Sequence, residues 1–151
     1  METAAFIPVR LSSTRLPSKA LLKICGKPCI QYLIERIKKV ENLDGIVLCT
    51  TENIVDDKIV ELAKDMKIEF FRGSEKDVLD RFKNAALKFQ VENIVNIDGD
   101  DILCELEFIK KTVNELKKNQ VDYVSWKNMP LGTTPIGMKT SALVTLFVIL
   151  C

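Results

Sequence analysis

The chain has 151 residues, enough for one domain with a proper core and too few to expect two. Its 22 basic and 21 acidic side chains nearly cancel, giving a net charge of +1, which argues against coating nucleic acid or an anionic membrane. Histidine is absent, so Ser-His-Asp catalysis, Cys-His catalysis and every imidazole metal site are excluded.

Apolar runs alternate with helix-period segments along the whole chain. Ala4-Ala5-Phe6-Ile7-Pro8-Val9 reads as a first strand. Around and after it lies a cationic segment: from Met1 to Lys27 the cations are Arg10, Arg15, Lys19, Lys23 and Lys27, against the single acid Glu2. A local cationic stretch in a neutral protein suggests a small anionic ligand. Pro28 to Val40 predicts a helix, with Ile30, Leu33, Ile34 and Ile37 on one face and Pro28 suited to a first turn. Gly45 to Thr50 predicts a strand, Asp56 to Met66 a helix, and Ile68 to Phe71 a strand. Glu75 to Phe89 predicts a helix with Val78, Leu79, Phe82, Ala85, Ala86 and Phe89 on one side. Asn93 to Ile97 is the next strand, ending at Asp98-Gly99-Asp100-Asp101. Leu106 to Asn119 reads as a helix closing on lysines that suit its C-terminal dipole, and Val121 to Trp126 as a further strand. Met129 to Gly137 is turn-rich. Leu143 to Cys151 is apolar apart from Thr145. It reads either as a final strand or helix, or as the end of a truncated product that a partner must bury.

That alternation, with continuously apolar strands, predicts an α/β fold: three layers, α/β/α, around a mostly parallel sheet. Ligands of such sheets sit beyond the carboxyl ends of the strands, at the point where the strand order reverses. Two loops therefore carry the candidate chemistry.

The first, Arg10 to Lys19, follows strand one. Arg10 and Arg15 can fork onto phosphoryl oxygens, Lys19 adds a mobile charge, and Ser12, Ser13 and Thr14 offer hydroxyls and successive N–H groups. It has neither the GxxxxGK[ST] nor the GxGxxG pattern. A solvated surface loop is the competing reading. The second loop, Asp98 to Asp101, places carboxylates at a strand end, where Asp98 and Asp100 can hold Mg²⁺; a turn with a helix N-cap is its alternative. Five cysteines, with Cys49 and Cys104 in or beside apolar runs, read as reduced intracellular thiols. A cysteine-only zinc site would need distant cysteines to join Cys25 and Cys29. The N-terminus lacks the layout of a signal peptide and the apolar end is shorter than the ~20 residues of a membrane span, so a cytoplasmic location is expected.

Ile7-Pro8-Val9-Arg10, Ser13-Thr14-Arg15-Leu16-Pro17, Lys19 and Gly26-Lys27-Pro28 together resemble the opening of the cytidylyltransferases that activate sugar acids. That family includes CMP-Kdo synthetase and the acylneuraminate cytidylyltransferases. Cys49-Thr50-Thr51 and Phe71-Arg72-Gly73-Ser74-Glu75, with Asp77-Val78-Leu79-Asp80-Arg81, look like its spore-coat polysaccharide branch. Asn96-Ile97-Asp98-Gly99-Asp100 resembles its metal-binding strand end. The resemblance covers strand one to about Gly137.

It implies the nucleotide-diphosphosugar transferase (Rossmann-like) fold and a reaction of CTP with a sugar acid, giving a CMP-sugar and pyrophosphate in surface polysaccharide biosynthesis. On that basis Arg10, Ser13, Arg15 and Lys19 would bind the triphosphate. Arg15, Lys19 and Asp100 would be catalytic, and Asp100 with Asp98 would hold Mg²⁺. Arg72, Ser74 and Arg81 lie on the segment that in relatives lines the base and sugar side. Three departures stand out: Ile102 replaces the proline of Gly-Asp-x-Pro, Asp98 stands where relatives carry Gln or Thr, and the chain is short. The resemblance thus implies a single nucleotide-binding α/β domain, residues 1–151, without the part of the family fold that supplies another metal-ligating acid, much of the sugar pocket and a dimerisation arm. A homodimer stays open, as do a catalytically inactive nucleotide-binding or partner-binding domain and a nucleotidyltransferase for another base or sugar. The GxGTR-type loop expected of the last is absent.

Overall fold

The computed structural model describes residues 1–12, 16–118 and 121–150. Strand β1 spans Thr3–Pro8, followed by a short hairpin of β2 (Lys23–Ile24) and β3 (Lys27–Pro28). Its two-residue turn, Cys25-Gly26, has positive φ at both positions (48° and 81°), the geometry of a tight hairpin turn. Then come α1 (Cys29–Ile37), β4 (Gly45–Thr51), α2 (Asp57–Asp65), β5 (Glu69–Gly73), α3 (Val78–Phe89) and β6 (Asn93–Asn96). Helix α4 (Leu106–Lys118), β7 (Tyr123–Val124), β8 (Ile136–Lys139) and α5 (Thr140–Leu150) complete the chain.

Six strands form one sheet in the order β5-β4-β1-β6-β8-β7. The first four are mutually parallel, and β8 runs antiparallel to both β6 and β7. Alternation along the strands sorts the core into two layers. Ala5, Ile7, Leu48 and Val95 face α1, α2 and α4 through Leu33, Ile59 and Ile109. Ala4, Phe6, Val47 and Ile94 face α3 and α5, where Phe82 meets Phe6 edge-on at 5.5 Å between ring centroids. Strands buried on both faces explain why the apolar runs are continuous.

The three-layer, mostly parallel architecture is the expected one, with local differences. Helix α3 begins at Val78 rather than Glu75, because the Asp77 carboxylate caps it, accepting the Asp80 N–H at 2.9 Å. The expected strand over Val121–Trp126 is reduced to β7. Trp126 turns to α4 instead, its indole N–H donating to Thr112 Oγ1 at 2.8 Å and its ring packing against Phe108. Part of the turn-rich segment is strand β8, inserted between β6 and β7. Gly137, which reads as turn punctuation, sits inside that strand because α4 packs directly on its backbone. A Cβ there would stand 2.5 Å from Thr112 Cγ2. The final apolar run is helix α5, with Leu143 buried and Leu146, Val148 and Ile149 exposed. Among the described residues, no helix is long and apolar enough to cross a membrane.

Candidate functional site

From β1 the sheet grows through β4 to β5 on one side and through β6 on the other, so the strand order reverses between β1 and β6. A cavity of about 320 Å³ opens there, beyond the carboxyl ends of these two strands. Arg10, Lys19 and Arg81 bring cations to its wall, Asp98 and Asp100 carboxylates, Asn96 an amide, and Ala20 and Val78 apolar surface. The two chemistry-bearing loops read from the sequence thus meet in one place.

Backbone contacts explain why they meet. Gly99 N–H donates to Pro8 O at 3.2 Å, and a Cβ at Gly99 would lie 3.1 Å from Pro8 O and Val9 Cβ, so glycine permits the close approach of the loops. Ser18 N–H donates to Leu11 O at 3.1 Å, folding the Arg10–Lys19 loop back on itself and delivering Lys19 into the cavity on a short 3-10 turn, Lys19–Leu21. There Lys19 Nζ pairs with the Asp100 carboxylate, linking the loop after β1 to the loop after β6.

Charge is concentrated around this cavity. Arg81 on α3 is only 2% exposed, and its Nε and Nη1 have no hydrogen-bond partner among the described residues. Burial, above all, lowers its pKa, and neighbouring Arg10 lowers it further. A buried guanidinium with donors unpaired among the described residues, beside a second guanidinium, favours an anion nearby. Asp101 is pushed up to about 6, first by burial and then by the Asp98 and Asp100 carboxylates. A second cavity of about 260 Å³ adjoins the first and shares Asn96 and Asp98 with it; Asp101, Ser125, Trp126 and Thr134 are on its wall. The buried Asn96 Oδ1 has no hydrogen-bond partner among the described residues.

Of the residues singled out from the sequence, Arg10, Lys19, Asp98 and Asp100 share the first cavity. Ser13 and Arg15 lie outside the described residues. Arg72 and Ser74 are not on the cavity wall. The Arg72 guanidinium is occupied with the turn after β4, bonding Thr51 O at 3.0 Å, Asn53 O at 2.9 Å and Asp57 Oδ1 at 2.5 Å. Ser74 Oγ accepts the Asp77 N–H at 3.1 Å at the start of α3. Asn96, the first residue of the strand-end motif, lines the cavity as well. Arg81, which the resemblance puts on the segment lining the base and sugar side, is on the wall of the first cavity, and its place beside Phe82 on the buried stripe of a helix is a visible signal.

A family model described as cytidylyltransferase matches residues 4–147. A protein of Methanocaldococcus jannaschii described as uncharacterized is 46% identical over 132 residues, covering 87% of this chain and 54% of that protein. The 3-deoxy-manno-octulosonate cytidylyltransferase of Geobacter sulfurreducens is 32% identical over 121 residues, covering 79% of this chain and 47% of its own length. The chain therefore spans about half the length of the curated relatives it matches. A solved cytidylyltransferase from Leptospira borgpetersenii superposes with a TM-score of 0.91 at 27% identity, over 99% of this chain and 65% of its own. With the parallel sheet, the cavity at the strand reversal and a family match over nearly its full length, the chain belongs to the cytidylyltransferase family.

Proposed function

We propose that this chain is the nucleotide-binding part of a CTP-dependent cytidylyltransferase that transfers CMP to a sugar acid for surface polysaccharide synthesis, in the manner of the spore-coat branch. One observation carries the reading: Arg10, Lys19 and Arg81 share a single cavity with Asp98 and Asp100. Cations suit a triphosphate and its leaving pyrophosphate, while acids suit a divalent ion travelling with it.

The acceptor hydroxyl oxygen would bond to the α-phosphorus as the bond to the β-phosphate oxygen breaks, releasing pyrophosphate, and the hydroxyl proton would pass to water. Arg10, Lys19 and Arg81 hold the phosphates and offset the charge that builds on the leaving group. Ser13 and Arg15 join them on the strength of the family resemblance. Position and charge supply the catalysis, so a chain without histidine is chemically adequate.

The donor set suits Mg²⁺ shared with a nucleotide. Asp98 and Asp100 are exposed oxygen donors on the cavity wall, and the described residues contain no group of three metal-ligating side chains. Mg²⁺ takes one or two carboxylates and completes its shell with phosphate and water. When bound, it supplies further neutralisation of the phosphates. The adjoining cavity past Asn96 is the place for the acceptor.

Pyrophosphate release from CTP, Mg²⁺ and candidate sugar acids tests the reading, together with thermal stabilisation by CTP, UTP, GTP and ATP. CTP-selective stabilisation with pyrophosphate release supports it, and no response to CTP sinks it. The exposed Leu146, Val148 and Ile149 of α5 favour a second reading, a nucleotide-binding domain that works only when paired with a second copy or another partner. CTP stabilisation without turnover is its signature.

A further inference from the structure

Asp56 has no exposed surface, and burying a carboxylate costs several kcal/mol unless its oxygens are satisfied. Its Oδ1 accepts the Leu11 N–H at 2.7 Å, and its Oδ2 accepts the Thr51 N–H at 3.3 Å and the Thr51 hydroxyl. Leu11 directly follows Arg10, and its carbonyl takes the Ser18 N–H immediately before Lys19. One buried carboxylate thus fixes the peptide from which both described cations of the loop are hung. The turn that carries Asp56 is itself held by Arg72, through Thr51 O, Asn53 O and Asp57.

Sheet formation does not require this arrangement. β1 and β4 are joined by a ladder through Pro8 and Cys49, extended by Val9 N–H to Cys49 O at 3.1 Å. The buried charge is added beyond that ladder, and its bond to Leu11 is directed at the loop. We propose that Asp56 is a positioning residue for triphosphate binding: its carboxylate, carried on a turn that Arg72 holds, sets the loop backbone so that Arg10 and Lys19 point into the cavity. This rests on the reading of that cavity as the triphosphate site.

The test compares Asp56→Asn with Asn93→Ala in the full chain. Asn93 is buried at the start of β6, toward the other end of the sheet, its amide donating to Thr3 Oγ1 at 3.3 Å, and serves as a control for general destabilisation. Asp56→Asn keeps the volume but turns an amide NH₂ toward donors. Two quantities are read: the Kd for CTP by calorimetry, and amide hydrogen exchange of the segment 10–20. The expected result is CTP binding weaker by about tenfold and faster exchange in 10–20 for Asp56→Asn, with neither change in Asn93→Ala. Where turnover is measurable, KM for CTP rises while kcat at saturation moves less. If Asp56→Asn does not fold, Arg72→Gln, which loosens the turn from outside the cavity, must speed exchange in 10–20. Wild-type affinity and wild-type exchange in Asp56→Asn, or equal changes in Asn93→Ala, overturn the proposal. A wild-type chain that binds no CTP instead removes the triphosphate reading, and the exchange comparison then decides the brace alone.

Discussion

Lys19 and Asp100 are ion-paired across the cavity, one on the loop after β1 and the other on the loop after β6. Their side chains are 35% and 50% exposed, so the pair is a weak lock, on the order of 1 kcal/mol or less. On the proposed reading, a triphosphate would compete for the ammonium and a divalent ion for the carboxylate. Asp100→Asn releases Lys19 and removes a negative charge from the wall. In EDTA, CTP should then bind more tightly, by about 1 kcal/mol or roughly fivefold, while Mg²⁺-dependent turnover is lost. Calorimetry with and without Mg²⁺ checks both halves; weaker metal-free binding in the variant contradicts the pairing argument.

Arg81 separates binding from stability. Its guanidinium is buried, and Nε and Nη1 have no partner among the described residues, an arrangement that costs stability. Arg81→Met keeps an unbranched side chain and removes the charge. The thermal midpoint is expected to hold or rise, since replacing a buried charge with apolar volume is commonly neutral or stabilising. CTP affinity is expected to fall by about 1.5–3 kcal/mol, the range for a bond to a charged group. A lowered midpoint with unchanged affinity would make Arg81 a structural residue.

Much of this site was legible because strand ends are legible. Arg10, Lys19, Asp98 and Asp100 follow the apolar runs of β1 and β6, and a parallel sheet sends both loops to one edge. Arg72 was not legible in the same way. Its position beside Thr50 depends on the β4–β5 register, which no local pattern encodes, and that register puts the open carbonyls of Thr51 and Asn53 within its reach. Asp56 reads locally as an ordinary acid at a helix start. Its contact with Leu11 joins residues 45 positions apart and exists only in the folded chain. Strand β8 was hidden by Pro135 and Gly137, residues that signal turns unless a helix presses on the backbone. Mg²⁺ and the acceptor stand on chemistry and resemblance.

Gly137 supports the antiparallel edge of the sheet. A Cβ there meets Thr112 Cγ2 at 2.5 Å and Leu116 Cδ1 at 3.0 Å, both from α4. Gly137→Ala is therefore an overpacking change, expected to destabilise by about 1–3 kcal/mol. Because Thr112 also accepts the Trp126 indole N–H, displacement of α4 disturbs that hydrogen bond too. Urea unfolding followed by tryptophan fluorescence reports both effects, and an unchanged midpoint would contradict the packing assignment.

The buried thiols predict a pH-dependent pattern. Burial pushes Cys104 up to about 12 and raises Cys49 further, from an ordinary value of 9.0, whereas Cys25 is exposed on the hairpin turn. Thiolate is the reactive form, so alkylation at pH 8 should label Cys25 in the native chain and leave Cys49 and Cys104 untouched until it unfolds. The linkage has a definite sign. Between about 9 and 12 the native state keeps protons that the unfolded state has released, so stability falls as pH rises through that window. Each thiol contributes a slope of about 1.4 kcal/mol per pH unit at most. Peptide mapping after brief iodoacetamide treatment reads the labelling, and denaturant midpoints at pH 8, 9 and 10 read the linkage. Rapid native labelling of Cys104, or a midpoint that rises with pH, would show that these thiols are not sealed in the core.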